Sequence, residues 1–418
     1  MGPSCKHKEV LMQVYIGIDW SEQKHDVVFL NAAGATLAQF EIPHSVEGFL
    51  RLDETRWRMK LSTDDCVVGM ETAHNLLIDF LWSRGYSNLY IVPPTTVKSN
   101  RKRFSSSAAR SDPHDALVIA DSLRTDHGRL QPWRPDSLLT RQIQAKVSLI
   151  NHLKKSIVRL SNRLRAVLLR YYPAVLNMFS SWPTRIALEF VRSFPTPGEV
   201  ENLSMDEFQR FARQHRYPNP RRLPACFARL QAPHPEAAQD TVEIYKDEAV
   251  LLATMLLSVM RAKQTALREL KSLFREHPDH AVFESLPGAG DFLAPALLAK
   301  FGDDRERFPS PASLQALAGT CPVTDQSGKR RIIKFRRACD REFRAIAQQW
   351  AMASLDRSVW ANAYWQQTRP RCRYSSLAYR KLANRWLAIA WKLWQTRQVY
   401  DEAYHLKQRA QRSRPSSQ

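Results

Sequence analysis

The chain has 418 residues, enough for two or three domains, and its 62 Lys+Arg against 41 Asp+Glu give a formal charge of +21. That excess excludes an ordinary near-neutral enzyme surface and points to a polyanionic partner, and it is concentrated: Leu286 to Gln418 holds 24 Lys+Arg and only 10 Asp+Glu. The six cysteines (Cys5, Cys66, Cys226, Cys321, Cys339, Cys372) form no CxxC pair, no uninterrupted apolar stretch approaches the roughly 20 residues of a membrane span, and no signal-peptide core opens the chain, so a reduced cytoplasmic protein without membrane association is expected.

From Val14 the pattern is α/β. Val14 to Asp19, Asp26 to Asn31 and Thr36 to Ile42 read as a meander of strands. A helix fits Val46 to Met59, followed by a strand Cys66 to Glu71, a helix Leu76 to Ser83, and a strand Leu89 to Val92 closed by Pro93-Pro94. Three antiparallel strands followed by alternating helices and parallel strands is the order of an RNase H-like fold, although periodicity alone admits other α/β arrangements.

Two of these strands end in a carboxylate. Alternation puts Tyr15, Gly17 and Asp19 on one face, so Asp19 projects at the strand tip beside a small residue, and Glu71 ends the fourth strand in the same way. After the basic, serine-rich segment Lys98 to Arg110 comes Ser111-Asp112-Pro113-His114-Asp115-Ala116, running into an apolar helix. Asp112 and Asp115 share a face at that helix start. Each feature alone has an ordinary explanation, turn carboxylates for the first two and helix capping for the second pair. Together they form an all-oxygen donor set of the kind that holds magnesium, and two such ions can stabilise both the attacking and leaving oxygens at a phosphodiester.

Leu138 to about Tyr171 is a long helix with Ile143, Ile150, Ile157 and Leu164 recurring at seven and Leu153, Leu160 and Val167 between them. Its partner is either a second long helix, about Glu236 to Phe274, or the same helix of another subunit. Between them, 180–235 is proline-rich and broken into short helices. The last third opens with Leu286-Pro287-Gly288-Ala289-Gly290, where Gly288 and Gly290 precede a helix as in phosphate-binding helix-hairpin-helix turns. A loop from Thr320 to Gly328 then leads into Lys329-Arg330-Arg331-Ile332-Ile333-Lys334-Phe335-Arg336-Arg337, six of nine residues cationic. Ser327 stands at its edge, with no histidine adjacent in sequence to serve as a base. Lys98, Arg101, Lys102, Arg103, Arg110, Lys329, Arg330, Arg331, Lys334, Arg336 and Arg337 are candidate contacts to nucleic acid. Leu382, Trp386, Ile389 and Leu393 at helical spacing read as core.

These motifs, in this order, resemble the bridge-RNA-guided DEDD transposases, or bridge recombinases, of the insertion-sequence "one-ten" family. The resemblance rests on Tyr15-Ile16-Gly17-Ile18-Asp19, Met70-Glu71-Thr72, Ser111 to Ala116, Leu286 to Gly290, Arg307-Phe308-Pro309-Ser310, Leu317-Ala318-Gly319 with Pro322, and Ser327-Gly328 before the basic run. It implies a RuvC-like DEDD domain (1–130), a coiled-coil region (131–282) carrying a helical insertion, and a mostly helical C-terminal transposase domain (283–418). It further implies that Asp19, Glu71, Asp112 and Asp115 are the ligands of two magnesium ions and that Ser327 is a nucleophile forming a transient phosphoserine link to DNA. A tetramer, a structured guide RNA, and target and donor DNA as partners follow from the same resemblance, as does work at the bacterial nucleoid. Two departures stand out: Arg110-Ser111 in place of lysine-threonine, and Pro113 after the third carboxylate.

Other readings differ in what they require. A RuvC-like junction nuclease would hydrolyse DNA with the carboxylates alone, without a serine intermediate. An actin-like sugar kinase would share Gly17-Ile18-Asp19 but needs glycine-rich phosphate loops that this chain lacks. A catalytically silent RNA-binding protein would use only the basic surface.

Overall fold

Strand β1 (Val14–Trp20) sits in the middle of a five-stranded sheet with β2 (Lys24–Leu30), β3 (Thr36–Pro43), β4 (Cys66–Met70) and β5 (Leu89–Ile91), in the order β3-β2-β1-β4-β5. It pairs antiparallel with β2 and parallel with β4, so the sheet is mixed. The computed structural model describes residues 13–73, 75–104, 112–179, 181–328 and 330–413. The chain divides into two compact units, Met1–Pro135 and Asp136–Gln418.

The central strands β1 and β4 are buried on both sides because helices cover both faces, whereas the outer strand β3 is mostly exposed. Helices α1 (Val46–Arg58) and α2 (Leu76–Ser83) pack with Val14, Ile16, Ile18 and Val68 on one face. On the other lie α3 (Pro94–Asn100) and α4 (Asp112–Asp126), with Tyr15, Val67, Ala116, Ala120 and Leu123. Helix α3 begins at Pro94, where the sequence suggests only a strand terminator; proline at a first helical position sacrifices no hydrogen bond, so the same residue can close a strand and open a helix.

Glycine sets how closely α4 approaches. Gly17 and Gly69 are direct neighbours across the parallel β1–β4 pair. A Cβ on Gly17 would stand 2.1 Å from the Ala116 carbonyl oxygen, and one on Gly69 would stand 2.6 Å from Leu123 Cδ1. These glycines therefore form a bare strip on which α4 rests, the backbone at Ala116 and Ala120 over Gly17 and the Leu123 side chain over Gly69, which brings the start of α4 to the strand ends that carry Asp19 and Glu71.

In the second unit α5 (Leu138–Tyr171) and α11 (Gln239–Glu276) form an antiparallel pair, their direction fixed by Lys146–Glu269 at 2.5 Å, Arg163–Glu248 at 2.6 Å and Arg170 over the Tyr245 ring. At 1.5 Å per residue α5 alone is about 50 Å long. The short helices α6 (Ala174–Met178), α7 (Arg185–Ser193), α8 (Gly198–Glu201), α9 (Met205–Gln214) and α10 (Leu223–Leu230) cap one end of this pair, sharing a core with Leu164, Val167, Leu168, Ala249, Leu252 and Leu256. By composition α11 is long and apolar enough to cross a membrane, with an 18-residue window of mean hydropathy 1.2. Its buried apolar positions, among them Leu252, Leu256, Leu270 and Phe274, pack against α5, this cap and the bundle at the other end, while Ile244, Leu251 and Met255 stay exposed.

That bundle comprises α12 (His280–Glu284), α13 (Gly290–Phe301), α14 (Pro311–Leu317), α15 (Arg341–Ala353), α16 (Val359–Thr368), α17 (Ser375–Thr396) and α18 (Glu402–Ser413). Trp350, Trp386 and Trp394 are fully buried in it, and Leu382 with them, so the tryptophans serve packing. A polar network fastens α5 to the loop after α13. Asp303 accepts from Thr140 Oγ1 at 2.7 Å and Ser137 N at 2.6 Å and lies 3.1 Å from His277 Nε2, while Asp136 takes the Arg307 guanidinium at 3.0 Å. Burial opposes ionisation of Asp303, but the hydrogen bonds from His277, Thr140 and Ser137 outweigh it and hold the carboxyl well below the usual range. The five described cysteines are free thiols.

Candidate active site

In the first unit the strand ends and the start of α4 converge. β1 carries Asp19 one residue beyond the Ile18–Met70 pair, and Glu71 follows Met70 directly. Asp19 also lies opposite Asp26 on β2. Asp115 stands in the first turn of α4 and is gripped by both arms of the Arg101 guanidinium, Nε to Oδ1 at 2.5 Å and Nη2 to Oδ2. Arg101 comes from the short turn after α3, the basic segment in which the sequence suggested a nucleic-acid contact.

The electrostatics tie these groups together. Burial, then the charge of Asp115, raises the Glu71 carboxyl above its ordinary value, and Arg101 offsets this only in part. Arg101 is held more firmly protonated, chiefly by its hydrogen bonds to Asp115, with Glu71 and Asp19 adding to the effect. Asp19, Glu71 and Asp115 therefore share one electrostatic neighbourhood with a surplus of negative charge. Asp112 begins α4, but its side chain lies outside the described residues. Among the described residues no group of three or more His, Cys, Asp or Glu gathers closely enough to hold an ion. The donor chemistry nevertheless suits a hard divalent cation, with carboxylate oxygens only, mutual repulsion to relieve, and one guanidinium acting as counter-cation.

The basic residues differ in engagement. Lys98 is exposed on α3, and Arg103 makes a long 3.5 Å ion pair with Asp121. Arg110 and Lys329, with the side chain of Lys102, lie outside the described residues.

In the second unit Ser327 ends a strand, where the sequence suggested a loop. β6 (Val323–Ser327) and β7 (Arg330–Lys334) form a two-stranded hairpin with Ser327 opposite Arg330. Gly328, at φ +52°, occupies the first turn position, the backbone region a two-residue hairpin demands. A sequence made of polar and cationic residues hides this strand because neither of its faces packs against a core. Alternation places Ser327, Asp325, Arg330 and Lys334 on one face, with Lys334 paired to Asp325 at 2.5 Å. Ser327, Arg330 and Arg331 are exposed, and among the described residues no base is recorded on the Ser327 hydroxyl. Just beyond, the guanidinium groups of Arg344 and Arg380 lie over the Phe335 ring at 4.4 and 4.5 Å, and the Arg336 carbonyl accepts from Arg344 Nη2 at 2.7 Å. Arg337 is exposed.

The glycine turn divides in role. A Cβ on Gly288 would stand 2.4 Å from the Ala353 carbonyl oxygen, and Trp350 Nε1 donates to Pro287 O at 3.0 Å, so Gly288 is required by packing against α15. Gly290 faces open space at the start of α13.

Residues 16–173 match the model of the DEDD transposase domain of the IS110 type, and residues 280–366 match that of the IS116/IS110/IS902 transposase family. The chain is 30% identical over 401 residues to the "Mini-circle putative transposase for IS117" of Streptomyces coelicolor, covering 94% of this chain and 96% of that one. It is 24% identical to the IS900 uncharacterized 42 kDa protein of Mycobacterium paratuberculosis, over 93% and 98% of the two chains. It is likewise 24% identical to the IS116 uncharacterized 44.8 kDa protein of Streptomyces clavuligerus, over 95% and 98%. A carboxylate neighbourhood at adjacent strand ends of one unit, a serine on a cationic hairpin in the other, and matches along nearly the whole chain lead to one conclusion: the protein belongs to the IS110 family of transposases.

Proposed function

We propose that this transposase is an RNA-guided recombinase that cuts and rejoins DNA through a covalent link to Ser327, with Asp19, Glu71, Asp112 and Asp115 as the magnesium-holding set. The observation that carries the reading is the placement of Ser327: an exposed hydroxyl at a hairpin tip, opposite Arg330 and at the edge of a run of arginines and lysines suited to phosphate. The mixed sheet with strand order β3-β2-β1-β4-β5 and carboxylates at adjacent strand ends supports an RNase H-like assignment for the first unit.

The serine oxygen would bond to the phosphorus of a DNA phosphodiester. The phosphorus–oxygen bond to one strand end would break, and that oxygen would leave with the bonding electrons and take up a proton. The reverse attack, by a hydroxyl end of a second DNA on the phosphoserine, would restore a phosphodiester and free the serine, so no external energy source is needed. Bound magnesium, two ions in a site of this type, would ease deprotonation of the hydroxyl and neutralise the leaving oxygen. Arg330, on the same hairpin face as Ser327, would hold the phosphate, and Lys98, Arg103, Arg331, Lys334 and Arg337 the neighbouring backbone. Sequence choice would fall to a structured guide RNA pairing with target and donor DNA, in a tetramer whose reacting centres draw on two subunits.

The test is denaturing electrophoresis of wild type, Ser327→Ala and Asp19→Ala after incubation with magnesium, guide RNA and end-labelled target DNA. Wild type is expected to give a protease-sensitive protein–DNA band, and both variants none. Free cleaved DNA from wild type and Ser327→Ala alike, without such a band, would replace this reading with metal-dependent hydrolysis by the carboxylates.

A further inference from the structure

The helical cap on the α5–α11 pair contains a cavity of about 260 Å3 that the chemistry above does not use. Its wall is aromatic: Phe179, buried, meets Tyr217 with ring centroids 5.5 Å apart, and His215 lies against Phe211 beneath it, centroids 4.5 Å apart with the rings tilted. Its rim is cationic. Arg185 opens α7 and Arg216 follows α9, both exposed, and no carboxylate lines the space. Among the described residues Arg185 and Arg216 make no ion pair. Burial, then the neighbouring Cys226, raises the Tyr217 phenol above its ordinary value.

We infer that this cavity receives one unpaired nucleotide of a nucleic-acid strand, its base against Tyr217 and Phe179 and its flanking phosphates on Arg185 and Arg216. Aromatic faces accept any base, while guanidinium groups on the rim select for the phosphates beside it. The volume lies just below the roughly 300–1,000 Å3 of pockets that enclose larger ligands, which suits a single nucleotide better than a stacked run. Asn219 at the same rim can offer both a donor and an acceptor to a base edge. The inference rests on the chain acting on nucleic acid, but not on the serine chemistry or on guidance by RNA.

Photocrosslinking of the full chain tests it. The probes are duplexes with a single unpaired 5-iodouracil nucleotide, in RNA and in DNA, and the same duplexes with that base paired. Adducts are expected on Tyr217, Phe179 or His215 from the unpaired probes only, and the more reactive backbone identifies which strand is the source. The double variant Arg185→Glu, Arg216→Glu, both exposed positions, is expected to weaken binding of the unpaired probe about ten- to a hundredfold while paired duplex binding falls less than about threefold. Adducts elsewhere, or equal losses for paired and unpaired probes, would overturn the assignment while leaving the Ser327 reading untouched. Absence of binding by every probe would overturn it as well.

Discussion

Asp115 accepts both arms of Arg101, so a cation entering the carboxylate neighbourhood meets a guanidinium already in contact with one of its oxygen donors. Nothing in the spacing of Arg101 and Asp115, 14 residues apart across a segment with no regular pattern, announces that pairing. His25 is a second residue whose role emerges only in three dimensions. It is fully buried beside Trp20, His44 and Phe49; Ser21 N donates to its Nδ1 at 3.3 Å, which leaves Nε2 to donate to His44 Nδ1 at 2.9 Å. Burial, then the proximity of His44, lowers its pKa to about 4. On acidification the unfolded chain takes up this proton first, near 6.5, so stability is complete above that pH and is lost as pH falls toward 4. The loss expected by pH 5 is on the order of 2 kcal/mol. Urea unfolding of wild type and His25→Phe at pH 7 and pH 5 checks it: the wild type should weaken by that much more than the variant, and equal losses would show that His25 titrates freely.

At the scale of elements, the contact that organises the first unit is α4 against the Gly17–Gly69 strip. Gly17→Val would drive a side chain into the Ala116 carbonyl. Overpacking of this kind costs about 1–3 kcal/mol where neighbours can yield, and a backbone oxygen yields little. The variant is expected to unfold at clearly lower urea than wild type and to bind Mn2+ more weakly in titration calorimetry, because Asp115 moves with α4. Gly128→Ala, which meets nothing within 4 Å, serves as the control. Equal midpoints for the two variants would mean that α4 is not seated by glycine. In the second unit the long seam read from sequence proves to have two neighbours besides α11: Ile143, Val147 and Ile150 join the C-terminal bundle, and Leu164, Val167 and Leu168 join the helical cap. A heptad pattern specifies that a helix is buried along one stripe but not against what, since any apolar surface of matching shape satisfies it.

For the whole molecule the dominant quantity is the charge of +21. Each phosphate contact releases condensed counterions, so binding that engages six or more phosphates should fall by roughly a thousandfold or more between about 50 and about 200 mM salt. Fluorescence anisotropy with a labelled duplex measures this directly. A fall of less than about tenfold would mean that the basic surface is largely a solvating face.

What depends on local pattern is legible in the chain before it folds: the order of strands and helices in the first unit, carboxylates at the ends of β1 and β4, the long seam of α5, the cationic run after Ser327 and the buried tryptophan helix. The sequence also carried enough ordered motifs to resemble the family to which the chain belongs. Tertiary structure alone decided which glycines admit α4, that Arg101 closes on Asp115, that Gly288 answers to Ala353 while Gly290 stays open, that Ser327 lies in a hairpin, and that 174–230 folds into a cap holding an aromatic cavity. The division has a physical cause. Periodicity and capping act over a few residues and leave a readable trace, whereas close approach, ion pairing and cavity shape depend on residues that meet only after the chain has folded.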